Sequence, residues 1–271
     1  MTDVKDPPNT PQKREDRSLA DVIAEVLTAQ KTFENRRATV LGRGAEKVTE
    51  PFGKAAAALV PPTAVRRALE AADTAAGALI FGSLQPAENL EACEGRALRV
   101  QAWAVGANAA TGGAAGWFGG AGMTVDIPAT ILLAARNVRA TGAAYGFDGD
   151  GLEERAYRLA ILELASVAAL DKRQASLSRI NRMAGVMSGG RVDPMRDTAE
   201  WVVQKAVERV SRELGTALLR RKAAQIVPFA GALIAASVNA SFQTDVSRAG
   251  RYAYRQRWLM TRRYLEPPEA E

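Results

Sequence analysis

The middle of the chain contains 24 consecutive residues without a charge, residues 100–123, which read VQAWAVGANAATGGAAGWFGGAGM. Within residues 109–122, six of the fourteen residues are glycine and five are alanine. Three of the glycines, Gly112, Gly116 and Gly120, are spaced four residues apart, which lets helix backbones approach each other closely. The stretch therefore predicts a Gly/Ala-rich helical hairpin.

A second uncharged stretch covers residues 223–244. A helix that spans a membrane needs about 20 strongly apolar residues, whereas small and polar residues make up much of both stretches, so a full span is disfavoured. Two interpretations remain for the hairpin: a tightly packed core element, which we favour, and shallow insertion into a membrane. Asp126 and Pro128 are expected at its corner. The candidate packing or membrane-contact residues are Gly112, Gly116, Trp117, Phe118, Gly119 and Gly120.

The rest of the chain also favours helices. Alanine, the strongest helix former, accounts for 53 of 271 residues, about 20%. No segment alternates apolar and polar residues with the period of a strand. Ser18 and Asp150 are expected to cap the helices that follow them. We predict an all-α protein with a single helical domain, residues 18–265, between a disordered N-terminal tail, residues 1–17, and an acidic tail, residues 266–271.

Positive charge is concentrated in the C-terminal third. The chain has 36 basic and 30 acidic residues, a net charge of +6. Residues 196–263 contain 13 basic and 5 acidic residues, a net charge of +8, whereas residues 1–195 carry only about +1. Such a distribution is typical of proteins that bind a polyanion, either an acidic membrane surface or a nucleic acid. A solvated arginine-rich face is the alternative interpretation.

A basic, aromatic helix is predicted from about residue 246 to residue 264. Arginine and tryptophan favour the interface of an anionic bilayer, and the same mixture of residues could stack on single-stranded nucleic acid, which we consider the weaker hypothesis. Arg257 lies nearer the apolar side and is expected to form an ion pair or to be buried. The candidate residues for binding an anionic surface are Arg248, Arg251, Arg255, Arg262 and Trp258.

Several kinds of active site are excluded by composition. The chain has no histidine and a single cysteine, Cys93, so Ser-His-Asp and Cys-His catalysis, His-liganded metals, cysteine clusters and intrachain disulfides are absent. There is no phosphate-binding Gly-Lys-Ser/Thr motif and no GxSxG motif. The Asp148–Asp150 loop lacks the spacing of a calcium-binding loop. We expect no cofactor and no metal, and the sequence leaves catalysis open while weighing against it.

Targeting signals are also lacking at the N-terminus. The first 17 residues are rich in proline and charge and contain no apolar region of a signal peptide. We therefore predict a cytoplasmic protein, and a peripheral position on the inner face of the plasma membrane is a further hypothesis.

Four segments, taken in order, resemble the EcsC family, a group of bacterial proteins named after one encoded beside an ABC transporter. They read GWFGGAGMTVDIPATILLAARNV, YGFD followed by EER, IVPFAGALIAASVN and AGRYAYRQRWL, and the resemblance extends over about residues 69–265. It implies a helical accessory protein linked to membranes or transport, and it carries no established reaction. The positions that match the pattern are Gly120, Asp126, Tyr145, Gly146, Glu154, Arg155, Pro228, Gly231, Asn239 and Arg257.

Some of these matching positions suggest a buried polar network. Asp126 and Asn239 are polar residues in apolar stretches, and they need hydrogen-bond partners if they are buried. Arg155 or Arg257 could supply charge-assisted hydrogen bonds to them. We expect such a network to be a structural lock first and a binding site second. The candidate members are Asp126, Tyr145, Glu154, Arg155, Asn239 and Arg257.

Our leading hypothesis is a non-enzymatic accessory protein that binds a membrane surface or a hydrophobic ligand through the hairpin and the basic C-terminal helix. The expected partner is an anionic membrane surface or a membrane protein complex. The alternative is a hydrolase-like enzyme that uses Asp126 and nearby carboxylates. The sequence leaves the oligomeric state open.

Overall fold

The structure, a computed structural model, describes residues 18–35, 62–78, 89–117, 123–167, 169–189, 199–222 and 231–268. Within these ranges the chain forms eight α-helices and no strand, which confirms the all-α prediction. The helices are α1 (Leu19–Asn35), α2 (Pro62–Ala78), α3 (Leu90–Trp117), α4 (Met123–Ala144), α5 (Leu152–Ser166), α6 (Leu170–Ser188), α7 (Ala199–Lys222) and α8 (Gly231–Thr261).

The C-terminal helix α8 lies at the centre of the bundle. It packs most extensively against α3 and also contacts α4, α5, α6 and α1. It begins at Gly231, well before residue 246, so it includes the end of the second uncharged stretch. Because neighbours cover it on several sides, its aromatic residues Tyr252, Tyr254 and Trp258 are all buried. Residues 246–261 of α8 are therefore a large part of the hydrophobic core.

Local capping signals predict one helix start and miss another. The Ser18 hydroxyl accepts a 3.2 Å hydrogen bond from the Asp21 backbone N–H at the start of α1, which confirms the expected cap. The prediction for Asp150 is wrong, because the residue at the N-cap of α5 is Gly151 and no side chain caps it. Asp150 instead forms a salt bridge with Arg139, a buried cation from α4. Because the Asp150 carboxylate forms this charge-assisted bond with Arg139, it does not cap the N-terminus of α5.

The predicted hairpin is only partly within the described residues. Gly112, Gly116 and Trp117 belong to the last turns of α3, and α3 packs against α4. Phe118, Gly119 and Gly120 lie outside the described residues, as does the N-terminal tail, residues 1–17. None of the helices in the described ranges combines the length and the apolar character that crossing a bilayer requires.

Candidate anion-binding cleft

An open cleft of about 380 Å³ lies between α1 and α8. Its size falls within the range of small-molecule pockets. Residues of α1 line one wall, and Arg248, Arg251 and Arg255 of α8 line the other. The three arginines share one face of α8 because they are spaced three and four residues apart. The cleft therefore gathers three of the five residues that the sequence predicts to bind an anionic surface.

Arg255 forms the floor of the cleft and has its charge compensated. Its Nε and Nη2 donate hydrogen bonds of 2.7 and 2.6 Å to the two oxygens of Glu94, on α3. Its Nη1 donates a 3.0 Å bond to Gln30 Oε1, on α1. Tyr145 also donates its hydroxyl hydrogen to Glu94. This arrangement ties α1, α3 and α8 together, and it leaves Arg255 7% exposed.

The electrostatics of Glu94 reflect this pairing. Burial alone would raise the pKa of the Glu94 carboxyl, but the hydrogen bonds and positive charge of Arg255 outweigh burial and hold the pKa below its ordinary value. Burial and the Glu94 charge raise the pKa of the Tyr145 phenol well above its ordinary value. Glu94 is therefore an ionised carboxylate, and Tyr145 is a neutral donor to it.

Arg248 and Arg251 differ from Arg255. Within the described part of the chain, neither forms a hydrogen bond or a salt bridge. The Nε atom of Arg251 is buried without an acceptor. Burial lowers the pKa of Arg251, an effect that the nearby Glu94 charge opposes and the Arg255 charge reinforces. The cleft thus holds two cations, one of them largely desolvated, that form no ion pair within the described residues; the Glu94 charge lies near Arg251, and Glu25 lines the opposite wall. Such an arrangement favours binding of an anion.

The α1 wall presents hydrogen-bond acceptors. The Thr28 hydroxyl donates a 2.9 Å bond to the carbonyl of Ala24, and the Thr32 hydroxyl donates a 2.8 Å bond to the carbonyl of Thr28. Each hydroxyl oxygen keeps lone pairs that can accept a bond from a ligand, and each hydroxyl hydrogen can also rotate to donate one. Glu25 lies on the same wall. The Phe33 and Tyr252 rings, which also line the cleft, are stacked with centroids 4.8 Å apart.

The other two residues predicted to bind an anionic surface lie outside this cleft lining. Trp258 is only 4% exposed and packs in the core. Arg262 is exposed, and its guanidinium lies 4.4 Å from the centroid of the Trp258 ring. Of the five predicted residues, Arg262 is exposed, Arg248 and Arg251 are partly buried, and Arg255 and Trp258 are buried.

Asp126 and Asn239 are buried and bind each other. Asn239 Nδ2 donates a 3.0 Å hydrogen bond to Asp126 Oδ1, and the two side chains are 1% and 0% exposed. Asn239 and Asn108 also each donate a side-chain bond of 3.2 Å to the backbone carbonyl of the other. The sequence correctly indicates that Asp126 and Asn239 need partners. Arg257, one of the two partners it suggested, binds elsewhere.

Arg257 belongs to a different cluster. Its Nη1 and Nη2 contact the two oxygens of Glu154 at 2.9 and 2.7 Å, which agrees with the expected ion pair. Its guanidinium also lies 4.1 Å from the centroid of the Phe147 ring. This cluster fixes the loop between α4 and α5 to α8.

Arg155 is partly buried on α5. The predicted polar network is thus distributed over at least three places: Asp126 with Asn239, Tyr145 with Glu94, and Glu154 with Arg257.

Comparison with known proteins identifies the family. The model of the EcsC protein family matches residues 20–259, most of the chain. A protein of Bacillus subtilis (strain 168) with the name "Uncharacterized protein YdbA" is 28% identical over 150 residues, which are 52% of this chain and 48% of that protein. The match thus spans about half the length of that relative. No solved structure matches. The extent of the family match shows that the chain belongs to the EcsC protein family.

Proposed function

We propose that this protein is a peripheral, non-enzymatic accessory protein that attaches to anionic membrane surfaces through the cleft between α1 and α8. The observation that carries the proposal is the pair Arg248 and Arg251, two cations on an open cleft without a hydrogen-bonded or ion-paired partner in the described part of the chain. An anionic headgroup would supply the missing counter-charge. Arg262, exposed farther along α8, would add electrostatic attraction to the same surface.

The proposed location is the inner face of the plasma membrane, and the proposed role is an accessory one in membrane transport. The excess of basic residues in the C-terminal third supports attraction to an anionic surface. Attachment through a cleft requires no helix that crosses the bilayer.

The test is co-sedimentation with vesicles of neutral or anionic lipid across a salt series. Each basic residue near an anionic surface contributes about 1 kcal/mol. We therefore expect Arg248→Gln together with Arg251→Gln to weaken binding to anionic vesicles about thirtyfold. Neutral vesicles should bind neither protein, and wild-type binding should fall as salt increases.

The matched control is Arg99→Gln together with Arg212→Gln, which removes the same charge from exposed positions on α3 and α7. The affinity of this control variant for anionic vesicles should fall by much less than thirtyfold. Thermal unfolding should show that both double variants remain folded, and the cleft variant should be at least as stable as the wild type because it removes uncompensated cations. An equal loss of affinity for anionic vesicles in the two double variants would contradict a role for the cleft. A wild-type protein that does not bind anionic vesicles would contradict the proposal.

Oligonucleotides provide a second comparison, because a basic cleft could also attract a nucleic acid. Under the proposal, anionic vesicles bind more tightly than a single-stranded oligonucleotide at the same salt concentration. Tighter binding of the oligonucleotide than of the anionic vesicles would contradict the proposal.

The hydrolase alternative receives no support from the geometry of Asp126. That carboxylate is 1% exposed and is hydrogen-bonded to Asn239 between packed helices. A carboxylate this deeply buried is not open to a substrate in this structure. We therefore do not propose catalysis at Asp126.

A further inference from the structure

We propose that α1 is a lid over the arginine-lined face of α8, and that an anion held by Arg248 and Arg251 stabilises the docked state of this lid. The docked lid in turn strengthens binding of the anion. This inference rests on the proposed function for the position of the anion. It goes further because it gives α1 a regulatory role in anion binding, which a small anion such as inorganic phosphate is enough to reveal.

Helix α1 is attached to the bundle by a small apolar surface. Of its 17 residues, Val22, Val26 and Gln30 are buried, whereas 11 of the 15 residues of α5 are buried. The helix that α1 contacts most is α8. An element with so few buried apolar side chains opens at a lower free energy than the whole protein unfolds. The release of α1 is therefore a local event that leaves the rest of the bundle in place.

Polar contacts hold the docked helix in one position. Gln30 Nε2 donates a 3.0 Å hydrogen bond to the Tyr252 carbonyl, and Gln30 Oε1 accepts a 3.0 Å bond from Arg255 Nη1. In the last turn of α1, the Phe33 carbonyl accepts a 2.9 Å bond from Arg173 Nη2, on α6. When α1 is released, water can replace these partners, so such bonds fix the geometry of docking more than its free energy.

The charges in the cleft oppose docking of α1 unless an anion is present. Docked α1 forms one wall of the cleft and limits the access of water to the arginines of the other wall. The lining contains one carboxylate, Glu25, against Arg248 and Arg251, since Glu94 compensates Arg255. Partial burial of cations that lack an ion pair is unfavourable, and an anion between the walls removes that cost. Because such coupling is reciprocal, docked α1 raises the affinity for the anion by the same factor.

The first experiment measures amide hydrogen exchange of the full-length protein in inorganic phosphate and in chloride of equal ionic strength. At about ten times its dissociation constant, phosphate should slow exchange along residues 22–35 about tenfold, because the lid then opens only from the anion-free protein. The Arg248→Gln, Arg251→Gln variant should show no such slowing. Unchanged exchange in α1, whether or not the buried helix α5 slows, would overturn the inference, as would equal slowing of α1 in the variant.

The second experiment needs no ligand. Arg251→Gln should slow exchange in α1 at least about threefold in chloride, because the lid then covers a neutral side chain. Its matched control, Arg212→Gln at an exposed position of α7, should leave α1 unchanged. Gln30→Leu should speed exchange in α1 about tenfold through the loss of two hydrogen bonds, and Gln204→Leu, exposed on α7, should not. An Arg251→Gln variant whose α1 exchanges as fast as the wild type, or faster, would overturn the inference.

The outcomes separate this inference from the proposed function. A protein that binds anionic vesicles, but whose α1 exchanges at the same rate with phosphate and in the Arg251→Gln variant, would overturn the lid and leave membrane attachment standing. A protein that ignores all vesicles, but whose α1 is slowed by phosphate and by Arg251→Gln, would contradict membrane attachment and support the lid for a soluble anion.

Discussion

Replacing Glu94 with glutamine is expected to lower the free energy of unfolding by about 3–5 kcal/mol, the usual effect of removing one partner from a buried ion pair. Glu94 accepts two hydrogen bonds from Arg255 and one from Tyr145. The amide of glutamine cannot neutralise Arg255, which would remain buried as an uncompensated cation. Urea denaturation of wild type and variant measures the difference.

The control for this variant is Glu70→Gln, which breaks an exposed pair with Arg66 on α2. Exposed pairs contribute about 0–1 kcal/mol, so its effect should be small. A double-mutant cycle with Arg255→Met should give a coupling energy of at least about 1 kcal/mol between Glu94 and Arg255. Similar effects of Glu94→Gln and Glu70→Gln would contradict the assignment of Arg255 as a buried, paired cation.

The Glu94–Arg255 pair makes the free energy of unfolding depend on pH. Because the pKa of Glu94 is lower in the folded protein than its ordinary value of 4.5, its contribution is complete above about pH 4.5. The stabilisation that Glu94 provides is lost as the pH falls below 4.5 and then through the lower pKa that Glu94 has in the folded protein. The Glu94→Gln variant should therefore lose less stability than the wild type between pH 5 and the acid-unfolding range.

Replacing Gly142 with alanine is the second change with a large expected effect. A Cβ atom there would lie 2.6 Å from the Phe147 carbonyl oxygen and 2.7 Å from Cζ of Tyr254. The Phe147 backbone N–H already donates a 2.8 Å bond to the Gly142 carbonyl, so the turn cannot open without losing it. Steric strain of this kind costs about 1–3 kcal/mol, and contacts this short place it at the upper end of that range, whereas alanine gains only about 1 kcal/mol in helix propensity. The net result is a destabilisation of about 2 kcal/mol.

The control is Gly106→Ala, which we expect to stabilise the protein, whereas Gly142→Ala destabilises it. Gly106 is in α3, and a Cβ atom there would meet nothing within 4 Å. It should gain stability of about 0.5–1 kcal/mol from propensity alone. Thermal unfolding distinguishes the two variants, and a stabilising Gly142→Ala would contradict the close packing of the α4–α5 turn against Tyr254.

Local signals in the sequence predicted local structure well. Ser18 caps α1 because its partner, Asp21, is three residues away. The arginines of α8 share a face because helical spacing alone places them there. Asp150 shows where such signals fail, because its partner Arg139 comes from the preceding helix and competes with the helix end. Periodicity also could not tell how many neighbours cover α8, so it did not reveal that Arg255 and Trp258 are buried.

The site itself depended on contacts between distant segments. Gln30 and Arg255 are 225 residues apart, and Glu94 is 161 residues from Arg255. No motif in α1 or α3 marks these residues as partners of α8. Asp126 and Asn239 were recognisable as polar residues that needed partners, but their direct pairing follows from how α4 and α8 pack. The division of the arginines into a paired floor and two unpaired cations could therefore come only from the structure.

The most direct test of the cleft as the attachment site is amide hydrogen exchange of the full-length protein with and without anionic vesicles. We predict that vesicles slow exchange chiefly in residues 25–33 of α1 and residues 248–255 of α8, the two walls of the cleft. The Arg248→Gln, Arg251→Gln variant should show no such change. Protection that is centred on residues 109–117 at the end of α3 instead, or that persists in the variant, would contradict the account.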